Sequence, residues 1–364
     1  MAKELYKGNE ALAEAAVRAG CNIYAGYPIT PQSEILEYMS WRMPEVGRVF
    51  VQSESEIAGI SMVFGAAACG FRALTSTSGP GFSLKQEGIS YIAACELPCV
   101  VVDVARYGAG LGDIWPAQGD YWQVTKGGGH GDYKVLAYAP ATVQEMVDLT
   151  YTAFDKAEQY TNPVIILSDG IIGQMMETVE LPPMKTHDSK QFSWAMTGNK
   201  TGQHKIIMNP WMYSKEYSDK GVPDGVPAYE KHLRDKYIAM FEQEQKWESI
   251  QAEDAEVVLV SYGISSRICK EAVSVARAQG IKLGLIRPIS ISPFPKKAFE
   301  RLANVKGFIA VEMSCLGQLE DDVKLASKCK IPVYSYLSGI YVPETEQILS
   351  MVNDILSANG KEVG

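Results

Sequence analysis

Two short segments hold residues whose types and spacing could do chemistry. Gly26-Tyr27-Pro28-Ile29-Thr30-Pro31 sets a hydroxyl between two prolines, where a short apolar strand gives way to a helix. Ser53-Glu54-Ser55-Glu56-Ile57-Ala58-Gly59 sets a carboxylate in the first turn of an apolar helix rich in glycine and alanine. Thr30 can cap the helix, its Oγ accepting a free N–H, with Pro31 at the first helical position. Besides capping, it could face a ligand at the carboxyl end of a strand, where doubly wound sheets bind. Glu56 completes a Ser53-x-x-Glu56 capping box. It can equally be a buried acid paired with N1′ of an aminopyrimidine, which favours the imino tautomer and so the thiamin ylid. Glutamine at position 56 would still cap but could not supply the proton.

Arg106 ends the apolar strand that begins at Pro98. It reads either as a solvated arginine or as a fork for a substrate carboxylate. Ser78-Gly79-Pro80-Gly81 is a strand–helix turn that could also present N–H groups to an anion. The loop from Tyr107 to Tyr133 carries eight glycines with Trp115, Trp122 and His130. Loops of this length are commonly lids or subunit contacts, and His130 reads as structural. Gly108-x-Gly110-x-Gly112 is not the dinucleotide fingerprint. Asp169-Gly170 lacks the Gly-Asp-Gly and asparagine context of a diphosphate–Mg²⁺ site, so no metal is assigned to this chain.

The elements that must position these residues alternate. Strands are expected at 22–25, 49–52, 72–77, 98–105 and 164–167, with helices between them. That alternation implies a mostly parallel sheet covered on both faces. Residues 1–180 form this first α/β domain. Residues 181–253 are polar, include the Gly221–Pro227 turn run and a charged helix near 228–250, and read as a linker. Residues 254–364 form a second α/β domain with strands at 257–261, 282–286, 307–311 and 332–336.

The chain has 364 residues, 46% hydrophobic, with a formal net charge of -9. The acidic balance argues against nucleic acid as the main partner. No run of 18 apolar residues predicts a membrane span, and the N-terminus shows no secretory h-region. A cytoplasmic protein is expected. The seven cysteines form no C-x-x-C pair and offer no four-thiolate cluster for iron and sulfur.

Taken in order, Tyr27–Pro31, Ser53–Gly59, Thr75–Gly81 and Glu96–Arg106 resemble the alpha subunits of 2-oxoacid:ferredoxin oxidoreductases. The resemblance runs over nearly the whole chain. Gly127–Tyr133 and Gly173–Glu177 look most similar to the 2-oxoisovalerate (3-methyl-2-oxobutanoate) branch. Arg287-Pro288-Ile289-Ser290-Ile291-Ser292-Pro293-Phe294-Pro295 resembles the transketolase C-terminal domain. The implied fold is two three-layer α/β/α domains, a pyrimidine-binding domain for thiamin diphosphate followed by a transketolase C-terminal-like one.

The resemblance implies that Glu56 pairs with N1′, that Thr30 bonds substrate near the thiazolium, and that Arg106 holds the 2-oxoacid carboxylate. Tyr27, Pro28, Ile29, Ser78 and Gly79 would line the coenzyme. A beta subunit would hold the diphosphate, Mg²⁺ and an iron–sulfur cluster, with gamma and ferredoxin-like subunits completing the assembly. The implied reaction is oxidative decarboxylation of a 2-oxoacid to acyl-CoA, with coenzyme A as acceptor and electrons passed to ferredoxin. Rivals are a 2-oxoglutarate or pyruvate form, a non-catalytic assembly subunit, and a self-sufficient transketolase-type enzyme.

Overall fold

The computed structural model describes residues 3–192, 194–196 and 226–360. In chain order the first part comprises β1 (Lys3–Lys7), α1 (Gly8–Arg18), β2 (Ile23–Gly26), α2 (Ser33–Glu45), β3 (Val49–Gln52), α3 (Glu56–Ala68) and β4 (Ala73–Thr77). It continues with α4 (Pro80–Ala94), β5 (Cys99–Ala105), α5 (Tyr121–Thr125), β6 (Leu136–Tyr138), α6 (Val143–Tyr160), β7 (Pro163–Asp169), α7 (Gly170–Gln174) and β8 (Met176–Glu180). Beyond it lie α8 (Val226–Gln243), β9 (Trp247–Ile250), β10 (Val257–Val260), α9 (Gly263–Ala278), β11 (Leu283–Pro288) and β12 (Ser290–Ser292). The chain ends with β13 (Gly307–Glu312), α10 (Leu319–Ala326), β14 (Val333–Leu337) and α11 (Thr345–Gly360).

Seven strands form one sheet in the order β12-β6-β7-β5-β4-β2-β3. All neighbours are parallel except β12, which runs antiparallel to β6. Five strands form a second sheet, β14-β13-β10-β11-β9, parallel except for β9 against β11. β1 and β8 pair as an antiparallel ribbon.

β5 shows why the first sheet forms. All seven of its residues are buried, as expected of a parallel strand with helices on both faces. Side chains alternate across it. Val100, Val102 and Val104 join Leu12, Met39 and Met146 in one apolar cluster. Val101 and Ala105 face a second cluster, which runs on through Tyr262, Ile286 and Phe308 of the other sheet. The two sheets therefore share one continuous core. Asp103 sits between Val101 and Ala105, on that shared face, and is 0% exposed.

Several expectations change. Helix α8 falls where a charged helix was expected within the segment read as a linker, but it stops at Gln243, and strand β9 follows as an edge of the second sheet. Gly221 to Gly225 lie outside the described residues. Strand β12, from the C-terminal segment, completes the first sheet. At three residues it carries too little periodicity to be read locally.

The two helix starts at the candidate site also differ. Helix α2 begins at Ser33, not Pro31; the Thr30–Pro31 peptide is cis, and Gln32 occupies the N-cap position. Thr30 is not the cap because its carbonyl turns to Arg106, while Gln32 Nε2 closes the turn onto the Tyr27 carbonyl at 3.0 Å. At α3 the cap is Ser55, whose Oγ accepts from Ala58 N at 3.2 Å. Ser53 N donates to Gly26 O instead. No capping box forms, which frees the Glu56 carboxylate.

Candidate active site

Strands β2, β3, β4 and β5 end along one edge, and the candidate residues follow those ends. Tyr27–Thr30 follow β2, Glu56 follows β3, Ser78 and Gly79 follow β4, and Arg106 follows β5. The carboxyl edge of a parallel sheet is where backbone N–H groups and helix starts converge on a ligand.

Glu56 is 3% exposed. Its Oε1 accepts from Thr77 Oγ1 at 2.9 Å, and Lys85 Nζ lies 2.8 Å from Oε2. Lys85, from α4, is 0% exposed and also donates to Thr75 Oγ1 at 3.0 Å and to the Glu56 carbonyl at 3.2 Å. Burial lowers the lysine's proton affinity, and Glu56 offsets only part of that lowering. The acid thus sits in a buried ion pair rather than against an apolar helix start. Glycine at position 81 lets α4 come this close, because a Cβ there would overlap Thr77 Oγ1 and Glu56 Oε1.

Arg106 is 8% exposed. Its Nη1 donates to Thr30 O at 3.0 Å and its Nη2 to Leu111 O at 2.7 Å. Two backbone carbonyls therefore aim the guanidinium and leave further N–H groups for a ligand. Gly79 lies under it with φ +42°, a conformation side chains resist. A Cβ on Gly79 would stand 3.5 Å from Arg106 Cγ and 3.9 Å from Asp120 Oδ2. The residues form one arc: Glu56 to Thr77, through Ser78 and Gly79, to Arg106 and Thr30. Tyr27, Pro28 and Thr30 are exposed at its open side, with Ile29 half-buried.

The glycine-rich loop leaves Arg106 and docks on the second sheet through Gln118. Gln118 N donates to Met313 O at 2.7 Å, its Nε2 donates to Tyr262 O, and its Oε1 accepts from Ser265 Oγ. Tyr121 OH donates to Asp322 and Trp122 N to Gln318 Oε1. His130 is exposed, and its backbone N–H faces Ser90 Oγ of α4 at 3.4 Å, well along that helix from the arc. Asp169 caps α7 and accepts from Ile264 N at 3.1 Å, joining the two sheets. Among the described residues, no group of three or more His, Cys, Asp and Glu side chains is placed to hold a metal ion.

Sequence reasoning missed four residues here: Thr77, Lys85, Asp103 and Asp120. Asp103 left a readable signal as the one charge inside a strand expected to be buried on both faces. Lys85 left none, because its inward aim depends on how α4 is rotated against α3.

Residues 14–235 match the family described as pyruvate flavodoxin/ferredoxin oxidoreductase, thiamine diphosphate-binding, and residues 255–345 match pyruvate:ferredoxin oxidoreductase core domain II. The chain belongs to the 2-oxoacid:ferredoxin oxidoreductase family. Over 357 residues it is 47% identical to ketoisovalerate oxidoreductase subunit VorB of Methanothermobacter marburgensis, covering 98% of each chain. It is 38% identical to 2-oxoglutarate synthase subunit KorA of Archaeoglobus fulgidus, covering 94% of this chain and 97% of that one. A solved structure of 2-oxoglutarate:ferredoxin oxidoreductase from Magnetococcus marinus superposes with a TM-score of 0.82 at 26% identity, over 97% of this chain. This chain spans 65% of that longer one. A split-gene transketolase superposes at 0.58 and 15% identity, which bears on the fold alone.

The protein is therefore a subunit of a multi-chain, thiamin-diphosphate-dependent oxidoreductase that acts on a 2-oxoacid. The site fits the pyrimidine end of that coenzyme. Glu56 Oε2 is buried with Lys85 Nζ 2.8 Å away but out of hydrogen-bond alignment, so the oxygen keeps a lone pair for the N–H of a ring placed against it. No helix of the described residues is long and apolar enough to cross a membrane.

Proposed function

We propose that this chain supplies the activating acid and the carboxylate anchor of a branched-chain 2-oxoacid:ferredoxin oxidoreductase, with 2-oxoisovalerate as substrate. The buried Glu56, freed from capping and fixed by Thr77 and Lys85, is the observation that carries the reading. When bound, thiamin diphosphate supplies a nucleophilic carbon for the 2-oxo group and a sink for the electron pair left by CO₂. Glu56 holds the proton at pyrimidine N1′. Arg106, aimed by the Thr30 and Leu111 carbonyls, pairs with the substrate carboxylate. Thr30, exposed beside it, hydrogen-bonds the reacting substrate. Ser78 and Gly79 close the floor between the two.

The substrate assignment draws support from the loop next to Arg106. From Tyr107 to Tyr133 there is no arginine and one lysine, Lys126, which is paired with Asp322, so this loop leaves no unpaired lysine or arginine for the second carboxylate of 2-oxoglutarate. Leu111, Ile114 and Trp115 are exposed there, an apolar set suited to a branched aliphatic chain. The VorB relative's name points the same way.

The diphosphate, Mg²⁺ and an iron–sulfur cluster belong in this reading to a beta subunit. Gamma and ferredoxin-like subunits complete a cytoplasmic complex that hands electrons to ferredoxin. The pyrimidine-binding unit spans 1–180, the connection runs from 181 through α8, and the transketolase-like unit takes in β9 together with 254–364. The test is turnover by the reconstituted complex. With coenzyme A and ferredoxin, kcat/KM for 2-oxoisovalerate should exceed that for 2-oxoglutarate and for pyruvate. Glu56→Gln should lower kcat on the order of 10²-fold or more, as loss of a general acid does. Unchanged turnover by Glu56→Gln would leave a non-catalytic assembly subunit as the better reading.

A further inference from the structure

Behind Arg106 lie two carboxylates that the mechanism above does not use. Asp103, on β5, is 0% exposed, and neither of its carboxylate oxygens has an aligned hydrogen-bond partner in the chain. Asp120, just before α5, is 6% exposed. Gln123 Nε2 reaches its Oδ1, and its Oδ2 has no aligned partner. Where a Cβ on Gly79 would stand, Arg106 Cγ lies 3.5 Å away and Asp120 Oδ2 3.9 Å, and the Gly79 N–H faces both carboxylates. Arg106 Nε is likewise buried without an aligned partner.

Two buried carboxylates with one guanidinium beside them do not both ionise cheaply. An isolated buried carboxylate costs several kcal/mol, and proteins commonly avoid that cost by keeping the proton. Burial pushes Asp103 well up and the charge of Asp120 pushes it further, against the Gly79 N–H; burial likewise pushes Asp120 up to about 6, against Gln123 and Arg106. The other groups facing the pair add negative charge or none. Glu56 faces it from α3, itself paired with Lys85. Tyr262 faces it from the second sheet, with Glu312 and Asp169 beyond.

We infer that Asp103 and Asp120 share one proton and, as positioning residues, set how strongly Arg106 binds an anion. The inference rests on the reading that Arg106 holds the substrate carboxylate. With the proton present, the pair carries one negative charge and the guanidinium keeps enough positive potential for the substrate. With the proton lost, a second negative charge beside Arg106 competes with the substrate carboxylate. No bond to substrate is needed; the effect is electrostatic and acts on binding rather than on the chemical step.

The test uses the reconstituted complex, with ¹³C-labelled aspartate in this chain alone. Infrared difference spectra should show a protonated aspartate C=O band that titrates with pH and is lost in both Asp103→Asn and Asp120→Asn. Absence of that band in the wild type overturns the inference, whatever the complex turns over. In parallel, KM for the 2-oxoacid should climb with pH in the wild type by up to about tenfold per unit, the limit for one linked proton. Asp103→Asn pins the site at one negative charge, so its KM should stay near the wild-type low-pH value, with kcat little moved by pH. A KM profile unchanged in Asp103→Asn also overturns the inference. If that variant does not fold, Asp120→Asn gives the same reading. A complex that shows the band but turns over no 2-oxoacid overturns the role given to Arg106 and leaves the shared proton standing.

Discussion

Lys85 is the residue whose removal tests the site's construction most directly. Its side chain is 0% exposed, that of Glu56 is 4% exposed, and the charges stand 2.8 Å apart. At an effective dielectric of 20 that separation is worth roughly 6 kcal/mol of attraction, which offsets the several kcal/mol lost on desolvating each ion. Removing one partner leaves the other uncompensated. Lys85→Met keeps an unbranched side chain one atom shorter and drops the charge; it should cost about 3–5 kcal/mol. Glu56→Gln preserves the Thr77 hydrogen bond but strands Lys85, at a similar cost. The double variant has no buried charge, so its loss should fall about 3 kcal/mol short of the sum of the singles. Urea unfolding midpoints with unchanged m-values give all three numbers. Singles that add to the double within about 0.5 kcal/mol would show that the two side chains are not coupled, and the ion pair would be refuted.

Two further outcomes follow from the geometry. Gly81→Ala forces a Cβ onto Thr77 Oγ1 and Glu56 Oε1, so the carboxylate must leave its place. Activity of the complex should drop on the order of 10²-fold, as misplacement of a reacting group does, and steady-state assays would measure it. Glu14 tests pH dependence: burial alone would raise its proton affinity, but Arg42 and Arg18 outweigh that and hold it below the usual range. Its stabilisation is therefore present above the unfolded value of 4.5 and lost as pH falls through the depressed folded value. Glu14→Gln should cost about 2 kcal/mol at neutral pH, allowing for partly exposed arginines. It should also unfold with a shallower pH slope below 4.5, measured by denaturant melts across that range.

Much of the fold could be read locally. Apolar runs such as Val100–Val104, glycines after helices, and prolines at turns place the strands near 23–26, 49–52, 73–77 and 99–105, because periodicity and turn chemistry act over a few residues. Strands β1, β6, β8, β9 and β12 were not legible. They are short or polar, and their existence depends on distant pairing partners. The capping box at Ser53–Glu56 read plausibly and does not form. A backbone bond from Ser53 to Gly26, 27 residues away, competes with it.

The amino-acid sequence alone determined the alternating strands and helices, and it brought Thr30, Glu56 and Arg106 to the carboxyl ends of three strands. It did so because each lies one short turn after a strand its own neighbours specify. Only the tertiary structure decided what those residues meet. Helix α4 is turned so that Lys85 pairs with Glu56. The loop after Arg106 is pinned by Gln118 to the second sheet and returns Asp120 to the Gly79 turn beside Arg106. Those meetings join residues far apart in the chain, and they follow from helix rotation and shared core packing, which no local pattern encodes.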